Sequence, residues 1–260
     1  MSKTALITGA SGGIGYELAL LFARDGFDCV LVARSEEKLK ELAARLESEH
    51  RVATLVIARD LSKPSAVDEI YEEVTAASMP VDVLVNNAGF PVFGLFVETD
   101  LQVELEMLQV NVVALTALTK LFLRGMVERR AGRILNLAST AAFLPGPLMA
   151  VYYASKAYVL SFSDALSNEL RGTGVTVTAL APGPTRTGFQ KRGVMEDSRL
   201  VRGQIADARS VALAGYRGLM AGKTVVIPGF SNKLIPWVVR LSPRGVVTRV
   251  VRRMQDRVPQ

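Results

Sequence analysis

Tyr152 and Lys156 stand four apart in the run Tyr152-Tyr153-Ala154-Ser155-Lys156, and on a helix that spacing puts both on one face. A free phenol has a pKa of about 10 and is a poor acid–base catalyst at neutral pH. An ammonium held beside it favours the phenolate and brings the pKa down toward a working range. Tyr153 has Ala157 at the same offset and lacks such a partner. Ser139, a short distance upstream, adds a hydroxyl. Taken alone, a Tyr and a Lys on one helix face are also what an ordinary solvated surface shows.

A second signal is the loop Thr8-Gly9-Ala10-Ser11-Gly12-Gly13-Ile14-Gly15, between a strand-like and a helix-like run. Glycines let the backbone turn tightly and approach a pyrophosphate, and the following helix offers free N–H groups and positive potential. The spacing, Gly9-x-x-x-Gly13-x-Gly15, differs from the G-x-G-x-x-G fingerprint. A plain glycine-rich turn would look the same; the place, at the first strand-to-helix junction, favours a dinucleotide. A third signal ends the second strand, Val32-Ala33-Arg34. An acid there would bind a ribose 2′-hydroxyl. Arg34 instead suits a 2′-phosphate, which a guanidinium grips with two bonds, and Ser35 can add another. The expected cofactor is NADP(H).

These residues need elements to hold them. Strands are expected over Ala5–Thr8, Asp28–Ala33, Arg51–Ala58, Val81–Asn86, Gly132–Ala138, Val175–Ala181 and Thr224–Pro228. Between them the pattern predicts helices over Ile14–Asp25, Ser35–Glu49 with Ser35 as its cap, Ser62–Ala77 and Tyr152–Gly172, with one helix or two in Thr99–Arg130. Short apolar runs such as Val81-Asp82-Val83-Leu84-Val85 suit strands covered on both faces. The alternation specifies an α/β fold: one domain, a doubly wound parallel sheet with helices on both sides.

The composition of the 260 residues is that of an ordinary globular chain, 49% hydrophobic and 22% charged, long enough for a large core without staples. Cys29 is the only cysteine and His50 the only histidine, which removes an intramolecular disulfide and argues against cysteine- or histidine-cluster metal sites; no metal is expected. No apolar run approaches the roughly 18–20 residues that span a bilayer, and the apolar stretch at the start is too short for a signal peptide. The expectation is a cytoplasmic protein. The net charge of +6 sits in the tail: residues 231–260 carry seven Lys/Arg against Asp256, leaving 24 basic and 24 acidic residues elsewhere. That pattern matches no nucleic-acid-binding module.

Taken together, Thr8–Gly15, Asn86-Asn87-Ala88-Gly89, Asn111, Ser139, Tyr152 with Lys156, and Pro182-Gly183 resemble the short-chain dehydrogenase/reductase family, in order and spacing, from residue 4 to about residue 230. The likeness is strongest to its NADP(H)-using, ketoreductase-like members and implies a Rossmann-type fold. It implies that Gly9, Ser11, Gly13, Ile14 and Gly15 hold the pyrophosphate side of the cofactor and that Asp60 with Leu61 contacts the adenine. Asn87, Ala88 and Gly89 would line the adenosine ribose; Pro182, Gly183, Thr185 and Thr187 would hold the nicotinamide end. Tyr152 would give the carbonyl its proton, Ser139 would hydrogen-bond the substrate oxygen, Lys156 would bind the nicotinamide ribose, and Asn111 would complete a proton relay. Thr185 departs from the family pattern, which prefers a β-branched apolar residue there.

The implied activity is NADPH-dependent reduction of a ketone or aldehyde to an alcohol, reversibly. Three apolar segments, Phe90–Phe96, Ala142–Met149 and a lid over about 184–207 with Phe189, Val194, Met195 and Leu200, suggest a lipophilic or 3-oxoacyl substrate; the same residues would serve to pack loops onto the body. The domain is placed at residues 1–230, with a basic extension over 231–260. In it Val246, Val247, Val250, Val251 and Met254 can share a helical face, opposite Arg249, Arg252, Arg253 and Asp256, with Trp237 as an anchor. The extension is expected to pack on the domain or a second subunit rather than on a membrane, and the family's usual tetramer gives way to a dimer. Two alternatives remain: a non-catalytic dinucleotide sensor on the same fold, which would be expected to lack one of the four catalytic-type residues, and a peripheral membrane protein attached by the basic tail.

Overall fold

The computed structural model describes residues 2–187 and 205–255. The first half of the chain runs β1 (Thr4–Thr8), α1 (Gly13–Arg24), β2 (Asp28–Ala33), α2 (Glu36–His50), β3 (Thr54–Ala58), α3 (Ala66–Ala76) and β4 (Val81–Asn86). Then come α4 (Leu101–Leu108), a π-helical turn (Gln109–Ala114), α5 (Leu115–Glu128), β5 (Gly132–Leu137), a 3₁₀ turn (Thr140–Phe143), α6 (Ala150–Glu169) and β6 (Val175–Leu180). The rest is β7 (Thr185–Arg186), β8 (Ala206–Asp207), α7 (Ala208–Met220), β9 (Val225–Val226), α8 (Phe230–Leu241) and α9 (Arg244–Gln255).

Seven strands form one parallel sheet in the order β3-β2-β1-β4-β5-β6-β9. The chain starts in the middle, winds out to β3, then crosses back to β4 and winds the other way. The carboxyl ends of β1 and β4 therefore lie side by side at the point where winding reverses, which is where sheets of this kind form a binding crevice. Alternate strand residues enter opposite cores: Leu6, Val30, Leu84 and Ile134 face α3 to α6, while Ala5, Leu31, Val83 and Leu135 face α1, α2 and α7. Both faces are buried, so the strands read as continuous apolar runs.

Several boundaries move for identifiable reasons. α3 starts at Ala66 because Asp60–Lys63 forms a turn, with the Ser62 N–H donating to Asp60 Oδ1 and the Lys63 N–H to the Asp60 carbonyl, and because Pro64 biases Lys63 away from helix. Ser35 does occupy the cap of α2, but its side chain makes no capping bond. α4, the π-helical turn and α5 run on as one helical unit, Leu101–Glu128, of 28 residues. By length and composition it is apolar enough to cross a membrane, which corrects the expectation that no run reaches that size. Only part of that apolarity serves the core: Met107, Ala114, Leu118 and Met126 are fully buried, as are the polar Asn111 and Thr119, while Leu101, Val103, Leu105 and Val113 stay exposed.

The extension forms two helices. α9 buries Val247 and Val251 in the same core as Tyr152 and Tyr153, worth about 1.5–3 kcal/mol for each valine. Val246, Val250 and Met254 stay 43–49% exposed, so only part of the predicted face is covered. Trp237 is not an anchor within the chain, being 67% exposed. The lid residues Phe189, Val194, Met195 and Leu200 lie outside the described residues, as does Asp256. The two ends of that lid segment meet, Thr185 pairing with Ala206 and Arg186 with Asp207.

Candidate functional site

The catalytic-type side chains converge at the carboxyl end of β5. Ser139 follows this strand and opens the 3₁₀ turn, its Oγ accepting from the Ala141 N–H at 3.1 Å and donating to the Pro182 carbonyl at 3.4 Å. Its hydroxyl also hydrogen-bonds the Tyr152 phenol. Lys156 comes from the next turn of α6, its Nζ lying 5.8 Å from the Tyr152 ring centroid and donating to the Leu137 carbonyl at 2.7 Å. Asn111 enters from the π-helical turn, where the widened backbone re-aims a side chain at the site. Its amide bonds both the N–H and the carbonyl of Phe90 at 3.1 Å, and donates to Ser155 Oγ at 3.2 Å. Gly89 fits between, since a Cβ there would stand 2.9 Å from Asn111 Oδ1 and 3.6 Å from Lys156 Nζ.

The electrostatics differ from the sequence expectation. Burial pushes the Tyr152 phenol above its ordinary range, and only the Ser139 hydrogen bond opposes this. Lys156 does not lower it: burial brings the lysine itself down to about 8, because the ammonium has left water for a single carbonyl partner. At pH 7 the cluster is a phenol beside an ammonium, and burial disfavours the charged form of each. Such a pair exchanges protons readily once a ligand supplies polar groups.

At the other end of the crevice, the N-terminal turn of α1 has no side-chain cap and no acidic residue, so its N–H groups remain available to an anion. Gly13 has φ +58°, and Thr187 closes on it so tightly that a Cβ would lie 2.9 Å from Thr187 Cγ2. At Gly15 a Cβ would stand 2.4 Å from the Gly9 carbonyl oxygen. Asn87 ties this loop to β4, its Nδ2 donating to the carbonyls of Thr8 and Gly9 at 2.9 and 3.2 Å, while the N–H groups of Asn87 and Ala88 both donate to Thr8 Oγ1 at 3.0 Å. Ser11 borders a surface cleft with Tyr16, Lys38 and Arg45.

Arg34 is exposed and enters no salt bridge among the described residues. Asp60 lies near enough to feel it: burial raises the Asp60 carboxyl, but the Ser62 hydrogen bonds and the charges of Arg34 and Lys63 together hold it below the ordinary value. Uncapped N–H groups, a bare glycine turn and a free guanidinium at the end of β2 fit a dinucleotide carrying a 2′-phosphate. Ile14 and Leu61 are core side chains, 8% and 6% exposed, so what they offer a ligand is backbone.

Beyond this cluster, Thr185 Oγ1 donates to the Gly183 carbonyl at 2.9 Å, and the Pro182 carbonyl accepts from the Thr140 N–H at 2.9 Å. Sequence reasoning missed three supports. Asn136 bridges β4 to α6, accepting from Asn86 Nδ2 at 2.9 Å and donating to Ser163 Oγ at 2.9 Å beneath the site. Asn232 of α8 presses its amide on Gly183, 2.7 Å from where a Cβ would be. Gln255, fully buried, donates from Nε2 to the Tyr153 hydroxyl at 2.6 Å. An Asn within an apolar strand was the one signal that pointed to Asn136; the other two contacts span large sequence separations.

Comparison with known proteins places this geometry. A family model described as short chain dehydrogenase matches residues 3–197. A rat protein named very-long-chain 3-oxoacyl-CoA reductase is 35% identical over 188 residues, 70% of this chain and 59% of the relative. The chain thus spans less than two thirds of that protein's length. A protein of the same name from Pyrenophora tritici-repentis is 32% identical over 265 residues, 98% of this chain and 76% of the relative. Among solved structures, a short-chain dehydrogenase from Sphingobium yanoikuyae in complex with NADPH superimposes with a TM-score of 0.84 at 32% identity, covering 94% of each chain. A bulky-bulky ketone specific alcohol dehydrogenase from Comamonas testosteroni gives 0.78 at 29% identity, covering 93% of this chain and 95% of the other.

Proposed function

The chain belongs to the short-chain dehydrogenase/reductase family, and from that premise we propose that it reduces a lipophilic ketone, aldehyde or 3-oxoacyl group to an alcohol with NADPH. The observation that carries this is the meeting of half-buried Ser139 with buried Tyr152 and Lys156 at one end of the crevice, whose other end is the uncapped glycine turn. NADPH, when bound, supplies the hydride. Gly9, Gly13 and Gly15 let the loop fold tightly against Asn87 and Thr187, so that the uncapped N–H groups of α1 face its phosphates, and Arg34 holds its 2′-phosphate. Ser139 Oγ hydrogen-bonds the substrate oxygen as negative charge grows there, a donor already set in place. Tyr152 gives its phenolic proton to that oxygen, so one hydride and one proton convert the carbonyl to an alcohol. Lys156 then returns a proton to Tyr152, and Asn111 holds the Phe90 backbone and Ser155 in place beside it.

A lipophilic substrate is supported by the names of the 3-oxoacyl-CoA reductases and by Leu95 and Phe96, which stay 41% and 67% exposed in the Phe90–Phe96 loop. Phe90 and Met149 serve the core instead, each 3% exposed. Homodimerisation and cytoplasmic residence belong to the same proposal; sedimentation equilibrium and cell fractionation check them. The test of function follows NADPH oxidation with carbonyls of graded chain length. Turnover that rises with chain length supports the proposal. NADPH binding without turnover on any carbonyl would leave the sensor reading in its place. Arg34→Asp is expected to move preference toward NADH by at least tenfold; an unchanged ratio would make Arg34 a surface charge only.

A further inference from the structure

Helix α8 wears its hydrophobic pattern inside out. Asn232, Ile235, Pro236 and Val239 turn toward the protein and are half-buried, and no residue of the helix is fully buried. Phe230, Leu234, Trp237, Val238 and Leu241 are 81%, 49%, 67%, 59% and 83% exposed. Their spacing of four, three, one and three residues makes them one stripe, on the side away from the fold. The inner side is held by the Thr140–Phe143 turn and by Asn232 on Gly183, so the stripe is fixed in place and directed outward. An exposed apolar stripe of this size marks a contact surface.

Charge says which contact. Lys233 and Arg240 border the stripe on one flank, Arg244 follows it, and none of the three enters a salt bridge among the described residues. From residue 208 to residue 255 there are nine Lys/Arg and no Asp or Glu. We propose that α8 docks on an anionic lipid bilayer, lying in the interface with its stripe among the acyl chains and its cations at the headgroups. A second copy of this chain would bring two like-charged faces together. A nucleic acid would satisfy the cations but offers nothing to Leu234, Val238 and Leu241. A bilayer takes both. The proposal goes beyond the reductase reading and does not depend on it.

Trp237 is the only tryptophan, so intrinsic fluorescence reads the surface directly. The full chain is mixed with vesicles of equal parts phosphatidylcholine and phosphatidylserine, and with phosphatidylcholine vesicles alone. Expected are a blue shift of Trp237 emission and pelleting with the anionic vesicles, both weakened by salt, and little of either with the neutral ones. The double variant Trp237→Asp/Leu241→Asp changes two exposed residues outside the site. It is expected to keep its fold by circular dichroism and its turnover of a water-soluble carbonyl, and to lose vesicle binding by at least tenfold. Lys233→Glu/Arg240→Glu is expected to keep the tryptophan and lose the preference for anionic vesicles. No shift and no pelleting with anionic vesicles at low salt would overturn the proposal. So would a blue shift that grows with protein concentration without vesicles, which would mean a second copy, or binding to an RNA oligonucleotide with no response to vesicles.

Discussion

Helices α6 and α8 depart from ordinary amphipathicity in opposite directions. α6 turns Tyr152, Ser155, Lys156 and Ser163 inward, where each is buried. α8 turns Phe230, Trp237 and Leu241 outward, where each is at least 67% exposed. Burying a lysine and exposing a tryptophan both work against folding. The difference lies in what answers the mismatch. In α6 the fold supplies partners: Leu137 for Lys156, Ser139 for Tyr152, Asn111 for Ser155. In α8 the described residues supply none, and the helix keeps an apolar face open to a contact outside the fold. A polar group taken into the core points to chemistry inside the molecule; an apolar face left out points to a partner beyond it.

The contrast can be broken most sharply at Tyr152. Tyr152→Phe removes one oxygen from α6 and is expected to cut turnover by about 10²–10⁴-fold while NADPH binding, followed by fluorescence titration, stays unchanged. Turnover near that of the wild type would strip α6 of its chemical role. Next is the buried lysine. In the folded chain Lys156 titrates at about 8, below its ordinary 10.5. Across that window the unfolded chain holds a proton the folded chain has released, so raising the pH stabilises the fold. Relative to Lys156→Met, the wild type is therefore expected to gain on the order of 3 kcal/mol between pH 8 and 10.5, measured by urea unfolding. A difference that stays flat with pH would mean that Lys156 keeps its proton in the fold.

A smaller effect tests where α6 meets the extension. Tyr153→Phe strands Gln255 Nε2 in a fully buried place and is expected to cost about 1–3 kcal/mol. Unchanged unfolding would show that α9 is not tied to the core. The smallest effect belongs to α8. Trp237→Ala removes an exposed ring and is expected to leave stability within about 0.5 kcal/mol. A large loss would mean that Trp237 packs, and the contrast between the two helices would fall.

Much of this was legible beforehand, for a local reason. Strands buried on both faces read as apolar runs whatever lies far away in sequence, and β2 and β4 fall on their predicted ends. Glycine, tyrosine and lysine spacings within a loop or one helix are likewise written in consecutive residues. Burial is not local, and the departures follow from that. Ser35 is in the cap position without capping, and Trp237 is exposed. The phenol of Tyr152 rises instead of falling because its own burial strips it of water, and the lysine four residues away, buried as well, does not offset that.

The chain alone decided the alternation of elements and the order of the motifs, because hydrophobic periodicity and turn chemistry act over a few residues. Only the fold decided that Ser139 and the buried Asn111 and Tyr152 share one cluster, and that Gln255 reaches Tyr153 across 102 positions. It also decided which side of α8 faces water. Those outcomes depend on desolvation and close approach between segments, which no short stretch of sequence contains.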